Sequence, residues 1–284
     1  MKEISSIKFN TVYVIESLDL SIEKETGKEL YDDLLRWKQL QLGNPFTAKL
    51  EQVKNRTEFF DTLNTIKKDC ENRNVFPMIH FEIHGNKEGL GLVSGEFIKW
   101  IELYEVLIGI NATIGNHLFI TLAVCQGAYL MELIKLANPA PFWGFIGSFD
   151  KIDAEDILIR YNEFYVELLD SFNINKAFIR LQNANSRFPS TYRFINSELT
   201  FKNVYAKYLK EETSEKGLNK RAKNVQVDED LKFTNRAERR SFEKTFKKSV
   251  KLTKNQFYKK HSTQFFMIDK FPENRKRFSV KSSL

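Results

Sequence analysis

Phe76-Pro-Met-Ile-His-Phe-Glu-Ile-His84-Gly85 is an apolar run of strand length that stops at an imidazole followed by glycine. Further along, Leu118-Phe-Ile-Thr-Leu-Ala-Val-Cys125-Gln-Gly127 stops in the same way at a thiol. The first run lacks strict polar/apolar alternation, as expected of a strand covered on both faces. In an open parallel sheet, ligands bind just beyond the carboxyl ends of the strands. If these two strands are neighbours, His84 and Cys125 meet at that rim. A thiol and an imidazole within hydrogen-bond reach form a nucleophile and its acid/base partner.

The surrounding pattern supplies the rest of such a sheet. Thr11–Leu18 reads as a strand, a helical pattern opens at Thr26-Gly27, and Phe46–Val53 alternates like a short strand. Glu58–Asn72 is amphipathic, with Phe59, Phe60, Leu63 and Ile66 on one face. A glycine-rich loop follows Gly85, and Ser94 is placed to cap a helix over Glu96–Ile110. Asn111–Asn116 is expected to be a polar turn and Ala128–Ala137 a helix, broken by Pro139 and Pro141. Phe142–Ile146 reads as a strand, Asp153–Ser171 and Asn175–Asn185 as helices, Thr191–Ile195 as a last short strand, and Glu198–Lys210 as a helix. Strands alternating with helices predict an α/β fold, a mostly parallel central sheet with helices on both faces.

A polar stretch at Glu211–Gly217 marks an expected boundary, giving a domain over residues 1–211 and an extension over 212–284. Beyond it, Asn235–Lys251 reads as a basic amphipathic helix with Phe242, Phe246 and Val250 four apart, and Gln256–Phe271 as helix or irregular chain. Charge divides with it. Of the chain's net +7, residues 216–284 carry 20 Lys plus Arg against 7 Asp plus Glu, which leaves the remainder acidic. Such asymmetry marks an interaction segment. Two cysteines give no disulfide framework, which suits a reducing compartment. No apolar block opens the chain, and no uncharged stretch approaches the roughly 20 residues of a membrane span, so a cytoplasmic protein is expected. Two Cys and four His at these spacings match no zinc pattern; neither metal nor cofactor is expected.

With these residues in view, the chain resembles the caspase-like cysteine peptidases, most closely the bacterial CHAT group. The likeness rests on His80-Phe-Glu-Ile-His84-Gly85 and Val124-Cys125-Gln-Gly127. It is supported by Glu96–Leu103, Pro141-Phe-Trp-Gly-Phe-Ile-Gly147 and Asn162-Glu-Phe-Tyr165, and it covers residues 10–210, with 10–70 matched in element order only. The resemblance implies a caspase-like three-layer sandwich and a cysteine endopeptidase in regulated proteolysis, of the bacterial defence or cell-death type. It casts Cys125 as nucleophile, His84 as proton shuttle, and the Gly85 and Cys125 backbone N–H groups as the oxyanion hole. His80, four residues earlier on the same strand face, reads as a packed, hydrogen-bonded histidine and is the reserve candidate for orienting the site. Glu82, Asp150 and Asp153 are candidate acidic contributors to a substrate pocket. The residues before the cysteine, Leu122-Ala-Val124, are wholly apolar where many relatives carry an acidic or small residue. The preference at the cleaved bond therefore does not transfer.

Cys70, at the end of a polar helix, reads as structural, and His117 and His261 are assigned no role. Besides a peptidase acting on protein or peptide, two other readings fit the sequence: a catalytically silent scaffold or adaptor, and a nucleic-acid binder acting through the basic extension. That extension fits a solvated appendage, a docking element for a regulatory protein or substrate, or a nucleic-acid surface. It would also act as a plug if it lay on the acidic body, in which case deleting residues 212–284 would raise activity.

Overall fold

The computed structural model describes residues 6–19 and 21–280. The chain divides into two units. One comprises residues up to Lys135 together with Pro139–Ser197; the other comprises Leu136–Asn138 and the chain from Glu198.

In the first unit, the elements in chain order are β1 (Thr11–Ser17), α1 (Thr26–Leu30), a π-helical turn (Tyr31–Leu35) leading into α2 (Arg36–Leu42), β2 (Thr47–Gln52) and α3 (Arg56–Arg73). Next come β3 (Pro77–Gly85), β4 (Gly89–Gly91), β5 (Phe97–Lys99), a 3-10 turn (Trp100–Leu103), α4 (Tyr104–Thr113) and β6 (Phe119–Ala123). A 3-10 segment (Gly127–Leu133), β7 (Gly144–Ser148), α5 (Ala154–Ser171), α6 (Ile174–Gln182) and β8 (Tyr192–Asn196) complete it. The sheet order is β2-β1-β3-β6-β7-β8, parallel except for β8, with the β4–β5 hairpin joined to the end of β3.

Parity along β3 explains its uninterrupted apolar run. Ile79, Phe81 and Ile83 face α3 and α4, where Phe81 stacks on Phe59 at 5.8 Å in a core with Leu63, Leu107 and Ile110. Met78, His80 and Glu82 point to the other face, where the His80 ring meets Tyr161 and Tyr165 of α5 at 4.7 and 5.6 Å. Helices therefore cover both faces, which is the three-layer α/β sandwich expected.

Two local expectations fail. Glu96–Ile110 is not one helix capped by Ser94. Phe97, Ile98 and Lys99 pair with Gly91, Leu90 and Gly89 as β5, and the α-helix starts only at Tyr104, running through the expected turn to Thr113. The Ser94 hydroxyl instead bonds the Glu96 carboxylate. Ala128–Ala137 forms no α-helix. Gly127–Leu133 winds instead as a 3-10 segment, closed by Ile134 N–H to Met131 O at 3.0 Å.

The second unit begins with α7 (Ser197–Glu212) and continues through α8 (Glu215–Asp228), α9 (Arg236–Phe265) and α10 (Asn274–Arg277). The division falls at Ser197/Glu198 rather than near residue 211, because α7 packs with the basic helices. Phe201 of α7 is fully buried, with ring centroids 4.9 Å from Phe265, 5.0 Å from Phe266 and 6.0 Å from Tyr258. A cut at residue 212 would strip Phe201 of these partners, so it is not a clean removal of the extension. α9 is also one helix where the sequence pattern read as two segments. Its first half turns Phe242 and Phe246 inward and its second half Tyr258 and Phe265, on a different helical phase, which breaks the periodicity without breaking the helix.

A buried ion pair anchors α5. Arg160 is fully buried; its Nε donates to Asp156 Oδ1 at 2.6 Å and its other nitrogens to the carbonyls of Leu181, Gln182 and Phe188. Removing one member leaves an uncompensated charge in the interior. Asp156→Ala is therefore expected to destabilise this unit by about 3–5 kcal/mol, measured by urea unfolding.

Candidate active site

β3 and β6 pair in parallel, with Glu82 opposite Ala123. Two residues further along each chain stand His84, still in β3, and Cys125, two residues past the end of β6, so both lie at the carboxyl rim of the sheet. Gly85 shows how closely the two ends approach. A Cβ added there would lie 2.3 Å from Val124 Cγ1 and 3.0 Å from the Cys125 carbonyl oxygen, so only glycine fits. The thiol sits on a tight turn. Gln126 adopts a left-handed conformation (φ 58°), Gly127 N–H donates to Val124 O at 3.0 Å, and Gln126 N–H donates to Asp150 O at 2.9 Å. Cys125 is half-buried, and its Sγ accepts the Ile152 backbone N–H at 3.4 Å. The Sγ–H in turn donates to the Ile152 carbonyl oxygen at 3.8 Å. The Cys125 backbone N–H itself has no acceptor among the described residues.

His84 is exposed, and its Nε2 lies 2.5 Å from Glu23 Oε1. Glu23 stands in the loop after β1, where its second oxygen accepts the Asp19 N–H at 2.7 Å. This contact assigns the proton to Nε2 and leaves Nδ1 as the acceptor. No hydrogen bond joins His84 to Cys125 among the described residues. Glu23 is the residue that sequence reasoning missed. An acidic residue in the short loop after β1 was the visible signal, but it carries meaning only once β1 is known to lie beside β3.

The other candidates sort differently. His80 touches neither His84 nor Cys125. It lies in a buried polar chain: Tyr165 OH to Thr121 Oγ1 (2.7 Å), Thr121 to His80 Nδ1 (2.8 Å), His80 Nε2 to Glu82 Oε2 (3.1 Å), and Thr26 Oγ1 to Glu82 Oε1 (2.6 Å). Every donor and acceptor is matched if His80 is neutral with its proton on Nε2 and Glu82 is ionised. Glu82, 2% exposed, is thus no pocket residue but a clip holding the start of α1 to β3, three residues from Glu23. Asp153 is the N-cap of α5, accepting Glu155 N–H at 2.9 Å, which uses it structurally. Asp150 tethers the cysteine turn through its carbonyl while its side chain is exposed. His117 Nδ1 accepts the Lys8 backbone N–H, and the His261 ring packs beside Tyr205 and Phe257. Among the described residues no cluster of three His, Cys, Asp or Glu is arranged to hold a metal.

The two thiols are in unlike surroundings. Cys70 is buried in the core, and burial, with Asp69 beside it, pushes its pKa up to about 12. No family model matches the chain, and no curated protein is similar to it.

Beside the clip, Glu16 is buried opposite Glu82, accepting Lys28 N–H at 3.1 Å and Gln52 Nε2 at 3.0 Å. Burial holds its carboxyl above the usual range, with the Glu82 charge adding to the effect. The folded chain then keeps a proton that the unfolded chain has released, so stability falls as pH rises above the ordinary carboxyl value of 4.5. Glu16→Gln should remove that decline. Its Tm is expected to exceed the parent's at pH 7, with the difference vanishing below pH 4.5 in a calorimetric pH series.

Proposed function

We propose that the chain is a cysteine endopeptidase of the caspase-like kind, with Cys125 and His84 as its dyad. The observation that carries this reading is the delivery of His84-Gly85 and Cys125 to one rim by adjacent parallel strands, with Gly85 packed against the Cys125 backbone. His84 Nδ1 takes the proton of the Cys125 thiol, and the thiolate attacks the scissile carbonyl carbon. The oxyanion is received by the Cys125 N–H and by that of Gly85. His84 gives the proton to the leaving amine as the C–N bond breaks, and water, deprotonated by His84, then cleaves the thioester. Glu23 holds the imidazole so that Nδ1 faces the reacting atoms and stabilises the imidazolium that forms. The bacterial defence or cell-death setting of the CHAT group is an analogy resting on the resemblance alone.

A silent scaffold is the second reading, favoured by the missing His84–Cys125 hydrogen bond and by the engagement of the sulfur with Ile152. Catalytic hydrogen bonds in unliganded sites are often long and tighten only when substrate binds, which leaves the dyad reading ahead.

A thiol-directed electrophile at neutral pH discriminates between the two. Cys125 is expected to be modified and Cys70 to remain intact by peptide mass mapping, since its raised pKa leaves little thiolate there. An unreactive Cys125 would favour the scaffold. Cleavage of a diverse peptide library should be lost in Cys125→Ala with the fold retained. Glu23→Gln should lower kcat by roughly tenfold or more while changing KM little, because it weakens the support of the imidazolium rather than substrate binding.

A further inference from the structure

α9 is a single helix of 30 residues, about 45 Å long at 1.5 Å per residue. Most of its aromatic residues are turned inward within its own unit, Phe257 being exposed. Phe242 lies against Phe233 at 5.4 Å, Tyr258 against Tyr205 at 5.0 Å, and Phe265 against Phe201. Between Ser241 and Phe265 the sequence carries seven lysines and one carboxylate, Glu243, which is bonded to Arg239 at 3.1 Å. Glu215 of α8 serves Lys247 and Lys251.

Those pairings leave Arg240, Lys244 and Lys248 exposed, with no carboxylate within 4.0 Å among the described residues. At four-residue spacing they stand one above another, about 6 Å apart along the axis. Like charges at this spacing repel, so the ridge carries an unfavourable interaction that a polyanion lying along it would relieve. The hydroxyls of Ser241 and Thr245 flank it, exposed. Further along the same helix, Lys259 and Lys260 line an open groove of about 540 Å³ with Gln256, Thr263, Gln264 and one carboxylate, Asp269, so the ridge and not this groove carries the unpaired charge. Cations interleaved with neutral hydrogen-bonding groups are the side chains that contact phosphate oxygens.

We propose that this ridge of α9 binds the phosphodiester backbone of a nucleic acid. The inference is independent of the peptidase reading. A lipid surface fits less well, because an interfacial helix needs a continuous open apolar face, and the large apolar side chains that α9 exposes are Leu252 and Phe257, which do not make one. An acidic helical peptide would need an apolar groove for its anchors, whereas the Arg240–Lys248 ridge is convex and polar. Contacts of this kind read phosphates and not base sequence, so affinity is expected to be salt-sensitive and broad in sequence.

The test is fluorescence anisotropy of the full chain with labelled single-stranded DNA, single-stranded RNA and duplex DNA, from about 50 to 200 mM salt. At least one of the three should bind, with affinity falling steeply as salt rises; which one binds identifies the source of the phosphates. Arg240→Gln/Lys244→Gln/Lys248→Gln should weaken binding tenfold or more and flatten the salt slope by about one per cation removed. A charge-matched control, Lys67→Gln/Lys68→Gln/Lys176→Gln, should retain it. Circular dichroism checks the helix; should the triple variant lose it, the single variants Lys244→Gln and Lys248→Gln are read in its place. The proposal is overturned by no binding at the lowest salt, by full binding in the ridge variants, by equal loss in the control, or by tighter binding to phosphatidylserine vesicles than to any oligonucleotide.

Discussion

The parallel pairing of β3 with β6 is the constraint on which the rest depends. Glu82 lies opposite Ala123, and that register carries the chain ends bearing His84 and Cys125 to the same rim. A slip of one residue would turn the buried side chains of one strand to the other face of the sheet and undo the pairing. Gly85 guards the arrangement, since any larger residue would collide with Val124 and with the cysteine carbonyl. The cysteine turn is fixed on its far side through Gln126 N–H to Asp150 and Ile152 N–H to sulfur.

Beneath that rim lies a layer of buried polar groups. An ionised Glu82 in the interior is costly unless its lone pairs are filled, and Thr26 and His80 fill them. The chain of hydroxyls from Tyr165 through Thr121 to His80 fixes the tautomer, and through Glu82 it ties four structural elements, α5, β6, β3 and α1, to one another. The loop between β1 and α1 is thereby held close to the sheet, and Glu23 in that loop meets His84. Much of the polar chemistry near the site thus positions the imidazole without touching a reacting atom.

Much of this was legible in the chain. The strand-final His84-Gly85 and Cys125-Gln-Gly127 stood out because strands covered on both faces are uniformly apolar, and a reactive side chain at their end is conspicuous. The alternation of strands and helices gave the α/β class for the same reason. The reading failed where short-range pattern was ambiguous: three residues, Phe97–Lys99, are too few to show a strand's period inside an otherwise helical run, and only pairing with β4 decided between the two. It failed again at α7, whose apolar residues announce that it packs but not against what.

Local chemistry along the chain therefore determined the element types, the acidic and basic halves, and the identity of the two side chains at the rim. Tertiary structure alone decided that Glu82 is a buried clip and not a pocket residue, that Glu23 reaches His84, and that α7 belongs with the basic helices. The physical reason is common to all three. Each depends on a partner far away in sequence, and hydrophobic periodicity encodes which face of an element is buried without encoding which element buries it.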